Sequence, residues 1–298
     1  MSFSANAKAE LCRVSVSRDC CAVAEVYGVL LFAYHFSARE IRVITGCAPF
    51  AKRLPRLMQR AFGFAPEERA GGAKTTFTVT DPARIRSVFN AFGYDADTAL
   101  VNHINLSVLE EDCCKAAFLR GAFLAGGSVT DPSKRCHLEL VTDHKNVAGE
   151  TVSILQELGF SPRVTARAGH QVIYFKQSEA AEDFLTKLGA SGAAMELMSA
   201  KVEKEMRNTI NRQINCDSAN ADKTVSAAQA QLDRIREIER DIGLENLPRD
   251  LAEVALLRIA NPAISLADLA LLADPPVTKS CINHRMRKLM HLTPQMLE

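Results

Sequence analysis

Over the first two-thirds of the chain, apolar spacing switches between helical and strand-like in one order and then repeats that order. Residues 20–34 and 113–125 are runs of small and apolar residues of helix length. Each is followed by a hairpin whose clearest strand, 40–45 or 137–142, alternates apolar and polar with the period of two of a half-buried strand. Residues 51–62 and 146–158 return to helical spacing and stop at Gly63 and Gly159. A second hairpin holds 75–80 or 172–177, and a last helix covers 82–92 or 179–188. The predicted order is α-β-β-α-β-β-α, twice.

The letters repeat along with the periods. CCAVAEVYG at 20–28 aligns with CCKAAFLRG at 113–121, 93 residues on. FGFAP at 62–66 aligns with LGFSP at 158–162, and FNAFG at 89–93 with LTKLG at 185–189, both 96 residues on. Each copy is too long for a solenoid unit. Two α/β modules related by a pseudo-twofold fit better. Gly28 and Gly121 stand inside the first helix of each copy, where Gly costs about 1 kcal/mol relative to Ala. Close approach of those two helices at the pseudo-twofold is the expected reason.

From residue 247 the period is helical throughout. Asp250 with Glu253 three positions later predicts an acidic cap on a helix that stops at Asn261-Pro262. Ser265 and Asp268 repeat the pattern and open a second short helix ending near Ala273. Residues 274–277 form the turn, and Thr278 can cap a third helix over 278–290. At about 100° per residue, Ile282, Met286 and Leu289 make one apolar stripe of that helix. Lys279, Ser280, Asn283, His284 and Arg287 lie opposite, at the positions a recognition helix turns toward base edges. Asn suits adenine and Arg suits guanine. Arg285 and Lys288 flank this face as phosphate-holding candidates. No Asp or Glu stands between Asp274 and Glu298. The plainer reading is a helical subdomain with a solvated basic face. The two capped short helices ahead of a two-faced third favour helix-turn-helix DNA binding. The predicted fold class is thus an α+β domain of a duplicated module followed by an all-α helix-turn-helix domain.

A length of 298 residues accommodates two domains and a connector, read as 1–190, 191–243 and 244–298. Hydrophobic content of 47% and charged content of 24% are ordinary for a soluble globular chain. The net charge of +1 gives no global attraction to nucleic acid, so DNA binding must rest on local patches. In the N-terminal domain the basic residues noted, Arg39, Arg42, Arg135, Arg163 and Arg167, are scattered. Weak, salt-sensitive DNA binding is expected of them, and residues 195–298 are expected to keep the sequence preference. The N-terminus lacks a basic segment followed by an apolar run, and the longest apolar stretch, 26–33, is too short to span a bilayer. The expectation is a cytoplasmic, nucleoid-associated protein with no membrane partner.

Nine Cys give no Cys-x-x-Cys pair. Adjacent Cys such as Cys20-Cys21 are expected to point to opposite sides of a helix or strand and to suit neither a metal nor a simple disulfide framework. Small buried hydrophobes in a reducing compartment are expected. Cys136-His137 beside His144 lacks a second ligand pair to complete a metal site. No metal, cofactor or catalytic residue is assigned.

Residues 119–127, LRGAFLAGG, resemble the signature nonapeptide of LAGLIDADG homing endonucleases. The resemblance implies two such helices packed through small residues, with an acid at the eighth position of each holding the catalytic metal. Here the eighth positions are Ala33 and Gly126, which offer no carboxylate. A degenerate domain of this type joined to a C-terminal helix-turn-helix is similar to the WhiA regulators of Gram-positive bacteria. The resemblance covers essentially the whole chain and is most specific over 3–11, 119–129, 207–223 and 265–289. It implies a transcription regulator tied to cell division, chromosome segregation and, in sporulating relatives, septation. Its implied partners are double-stranded DNA and an RNA polymerase sigma factor or another transcription regulator.

In the connector, Arg207, Asn208, Asn211, Arg212 and Asn215 recur at three- and four-residue steps. A helix would line them on one face suited to groove or phosphate contacts, whereas a polar interdomain turn would use Asn for its turn preference. The resemblance to WhiA favours a functional segment. Residues 224–241 read as a polar helix with Leu232, Ile235 and Ile238 as its narrow apolar stripe. Two competing functions remain at this level. One is a metal-dependent endonuclease with acids from Glu25 or Asp131. The other is a division-apparatus scaffold that binds DNA weakly.

Overall fold

The computed structural model describes residues 2–95 and 103–292. These fall into two compact units, Met1–Lys204 and Glu205–Glu298. The first unit opens with α1 (Phe3–Leu11), capped by Ser2, whose hydroxyl accepts from the Ala5 N–H. Phe3, Ala7 and Leu11, four residues apart, form its buried face.

The first module is α2 (Asp19–Leu31), β1 (His35–Phe36), β2 (Ile41–Thr45), α3 (Ala48–Phe62), β3 (Glu67–Gly71), β4 (Lys74–Val79) and α4 (Pro82–Ala91). The second is α5 (Asp112–Gly126), β5 (Gly127–Val129), β6 (Leu138–Thr142), α6 (Lys145–Glu157), β7 (Arg163–Arg167), β8 (His170–Phe175) and α7 (Ser178–Leu188). Each builds an antiparallel four-stranded sheet, in the orders β1-β2-β4-β3 and β5-β6-β8-β7. The inner strand β6 buries Leu138, Leu140 and Thr142 and turns Glu139 and Val141 the other way, the alternation expected of a sheet with one covered face.

The two modules meet through α2 and α5. A Cβ on Gly28 would lie 2.0 Å from the Phe118 carbonyl oxygen and 2.9 Å from the Ala122 nitrogen. A Cβ on Gly121 would lie 2.0 Å from the Glu25 carbonyl oxygen and 2.9 Å from the Val29 nitrogen. Each contact maps onto the other by the same 93-residue shift that aligns the sequences. The seam is therefore a backbone-to-backbone contact with pseudo-twofold symmetry, and only a residue without a side chain fits at its centre.

Residues 191–241 are one continuous helix, α8 (Ser191–Asp241). Its first turn is capped by the Glu10 carboxylate, which accepts from the N–H groups of Gly192 (2.7 Å) and Ala193 (2.9 Å). The Arg/Asn-rich stretch is thus helical, not a turn. In the second unit α8 is followed by α9 (Arg249–Ala260), α10 (Leu266–Leu272) and α11 (Lys279–His291). Ile235 and Ile238 of α8 join Leu251, Val254, Ala255, Leu269, Ile282, Met286 and Leu289 in one core.

Candidate nucleic-acid interface

Two short helices, α9 and α10, fix the orientation of α11. The Ser265 hydroxyl accepts from the Asp268 N–H at 3.2 Å and donates to its carboxylate at 2.7 Å, so the expected capping pair forms at α10. Thr278 accepts from the Cys281 N–H at 3.3 Å and starts α11. The start of α9 differs from expectation. Pro248 occupies the cap position without a side-chain bond, and Asp250 lies one residue inside the helix. A Pro fixes φ there and removes a donor that would lack a partner anyway.

Ile282, Met286 and Leu289 are fully buried in the core, as the stripe required. That burial turns Lys279, Ser280, His284, Arg287 and Lys288 to the surface, and Asn283 sits half-buried at the edge of the same face. Lys279, Arg287 and Lys288 have no carboxylate within ion-pair distance among the described residues. His284, Arg287, Lys288 and His291 line one cleft with Pro248, Leu251 and Leu292.

Arg285 is the residue whose surroundings depart most from expectation. It is turned back toward α9, 3.4 Å from Glu253 and 3.9 Å from Asp250. The two acids expected to cap α9 instead clasp α11, because the first turn of α9 packs beside it. A phosphate would have to compete with both carboxylates for this guanidinium.

Arg207, Asn208, Asn211, Arg212 and Asn215 are all exposed on α8. Lys223, further along α8, lines a cleft shared with Lys279 at the start of α11. In the first unit, a basic row that the sequence reading passed over lies on α3. Lys52, Arg53, Arg56 and Arg60 line one cleft with Val14 and Val16. Arg53 and Arg60 are held by Glu25 and Asp19, while Lys52 and Arg56 are exposed. The four-residue spacing 52, 56, 60 was the available signal. Of the scattered arginines, Arg42 pairs with Glu40 at 2.6 Å and Arg167 with Glu139 at 3.2 Å.

Of the two acid positions of the endonuclease motif, that of Gly126 is closed to a side chain. Ala33 and Gly126 line one cleft with Lys74, Asp143 and His170, the last two in hydrogen-bond contact. A Cβ on Gly126 would stand 2.4 Å from the Val141 carbonyl oxygen, so no carboxylate can be placed there without moving the backbone. The alternative acids are engaged elsewhere. Glu25 is fully buried, bound by Arg53 at 2.6 and 2.9 Å and by Arg120 at 3.0 Å. Two guanidiniums answer its charge, so a metal cation there would have to displace them. Asp131 accepts from the Ser133 N–H at 2.9 Å and hydroxyl at 2.6 Å in an exposed turn, which holds its carboxyl below the usual range.

Fold and site together define a class: a LAGLIDADG-like α+β domain without its acids, continuous with an all-α helix-turn-helix domain. Residues 115–207 match the WhiA LAGLIDADG-like domain, and residues 210–293 match the WhiA C-terminal HTH domain. The chain is 38% identical to the probable cell division protein WhiA of Ruminiclostridium cellulolyticum, covering 97% of this chain and 96% of that one. It is 35% identical to that of Desulforamulus reducens, covering 99% and 96%. The crystal structure of full-length DUF199/WhiA from Thermatoga maritima superposes with a TM-score of 0.60 at 24% identity over 97% of both chains, a likeness of fold. The chain belongs to the WhiA family.

Proposed function

We propose that this chain is a sequence-specific regulator of transcription that binds double-stranded DNA, acts in cell division and chromosome segregation at the nucleoid, and performs no catalysis. The carrying observation is the outer face of α11, exposed, cationic and free of acids, on a helix whose other side is fixed in a core. Lys279, Ser280, Asn283, His284 and Arg287 face base edges in the major groove. Lys288 holds phosphate. Arg285 sets the angle of α11 through Asp250 and Glu253.

The exposed residues of α8 extend this surface. At 1.5 Å per residue, Arg207 stands about 24 Å along the helix from Lys223, within the ~34 Å of one duplex turn. Arg207, Asn208, Asn211, Arg212 and Asn215 then follow the backbone beside the groove that α11 reads. The N-terminal domain, residues 1–190, adds only a sequence-independent contribution from cations such as Lys52 and Arg56. Its larger role is contact with a protein, an RNA polymerase sigma factor or another regulator. The role in division is supported by the name that relatives at 35–38% identity carry.

The test begins with a genome-wide map of bound sites. Fluorescence anisotropy then compares one mapped site with its scrambled duplex at two salt concentrations. The mapped site should bind at least about a thousandfold more tightly. Equal affinity for both duplexes would remove the specific reading. Magnesium-dependent nicking of plasmid that co-purifies with the chain would remove the non-catalytic one.

A further inference from the structure

Cys20-Cys21 and Cys113-Cys114 are 93 residues apart in sequence and together in space. Both pairs sit in the first turn of their helices, α2 and α5. The pseudo-twofold that places Gly28 against α5 and Gly121 against α2 also brings these four thiols to one end of the seam. The sulfurs of Cys20, Cys21 and Cys114 lie within 4.8 Å of one another. Cys113, next to Cys114 on α5, lies outside that trio but close enough to interact with the thiols of Cys21 and Cys114. The crosswise pairs Cys20–Cys114 and Cys21–Cys113 are images of each other under the same shift. Expecting every Cys to be a buried hydrophobe fails here, since Cys20 and Cys113 are exposed while Cys21 and Cys114 are buried.

We propose that these four cysteines form a tetrahedral thiolate site for a thiophilic divalent metal ion of the zinc class, which fastens the α2–α5 seam. Four thiols with no carboxylate among them select a soft metal over Mg2+ or Ca2+. A tetrahedron with metal–sulfur bonds of about 2.3 Å has sulfur–sulfur edges of about 3.8 Å, so the three clustered sulfurs need to close by about 1 Å or less. Two ligands from each of two helices match the twofold symmetry of a tetrahedron. The outer pair, Cys20 and Cys113, gives solvent a path to the site, and the inner pair closes it.

The electrostatics agree. Both helix N-termini direct their positive ends at the thiols. The Arg18 guanidinium donates to the Cys113 sulfur at 3.7 Å. A bound dication offsets the mutual repulsion of the thiolates it collects. Binding releases protons and weakens as pH falls.

The measurement uses the full chain, reduced with a phosphine and titrated anaerobically with Co2+. One equivalent should give the visible ligand-field bands of tetrahedral cobalt with near-ultraviolet thiolate charge transfer, and Zn2+ should abolish them. Cys20→Ser with Cys113→Ser, both at exposed positions, should weaken Co2+ binding at least about tenfold while keeping the native circular dichroism. Cys216→Ser, on exposed α8, should leave the titration unchanged. Zn2+ should raise the Tm of the unsubstituted chain by several degrees and leave that of the double variant where it was. A reduced chain that takes up no Co2+, or a double variant with the same spectrum and affinity, overturns the proposal. So does recovery of Cys20–Cys114 and Cys21–Cys113 disulfides from chain that binds no metal when reduced.

Discussion

The seam between α2 and α5 and the outer face of α11 are both helix surfaces that carry charge, and they treat it oppositely. At the seam, Glu25 is fully buried and answered by Arg53 and Arg120, which also donate to the carbonyls of Cys12, Val14 and Leu188. Every charge there has a partner, and the helices touch through backbone. On α11, Lys279, Arg287 and Lys288 face solvent with no acid in ion-pair reach among the described residues. The charges at the seam's centre are already paired, while those on the α11 face have their interactions still to make. The difference teaches where to look for function in a chain with a degenerate active site. Here the acid positions of the motif carry Ala33 and Gly126, and the unpaired cations lie on another helix.

The sharpest way to break the comparison is at the seam's glycines. Gly28→Ala or Gly121→Ala would drive a methyl to 2.0 Å of a carbonyl oxygen on the facing helix. Urea unfolding should show a loss of about 4 kcal/mol or more, or no folded protein. Gly149→Ala is the control. It lies exposed within α6 with nothing within 4 Å of the new Cβ, and should gain about 0.5–1 kcal/mol. A Gly28→Ala variant as stable as the control would mean that the helices do not meet as described.

Next is the buried ion cluster. Glu25→Gln removes the charge that answers Arg53 and Arg120 and should cost about 3–5 kcal/mol in equilibrium unfolding. Its effect on specific DNA affinity, measured below the unfolding midpoint, should be small. Loss of DNA binding by a folded Glu25→Gln chain would erase the contrast between the two regions.

Smaller effects separate the residues of α11 from one another. Arg287→Ala should cost about 1–3 kcal/mol at the mapped site and relax preference at one base pair. Lys288→Ala should weaken all sequences alike and reduce the salt slope by about one unit. Unchanged affinity in both would mean that α11 does not read DNA. Arg285→Ala should lower stability by about 1 kcal/mol or less, as expected of a partly exposed ion pair, and should change affinity less than Arg287→Ala does. The reverse ranking would show that Arg285 leaves Asp250 and Glu253 for phosphate.

Much of this was legible in the sequence because it is local or repetitive. Helix and strand periods, the caps at Ser265 and Thr278, and the stripe of Ile282, Met286 and Leu289 follow from spacing within a few turns. The duplication was legible because two copies kept their landmarks in order, and the interior glycines foretold close packing. Tertiary structure alone decided what depends on residues far apart in the chain. It made residues 191–241 one helix, because the Glu10 carboxylate caps its start and Ile235 and Ile238 anchor its end in a core. It turned Arg285 toward Asp250 and Glu253, buried Glu25 between two arginines, and closed the Gly126 position with the Val141 carbonyl. It also gathered Cys20, Cys21, Cys113 and Cys114, whose adjacency in pairs had argued against a shared role. The physical reason is common to all of these. Periodicity fixes which side of an element a residue occupies, but its charge partner or ligand set lies on another element, and only the packing of the two modules determines which atoms meet.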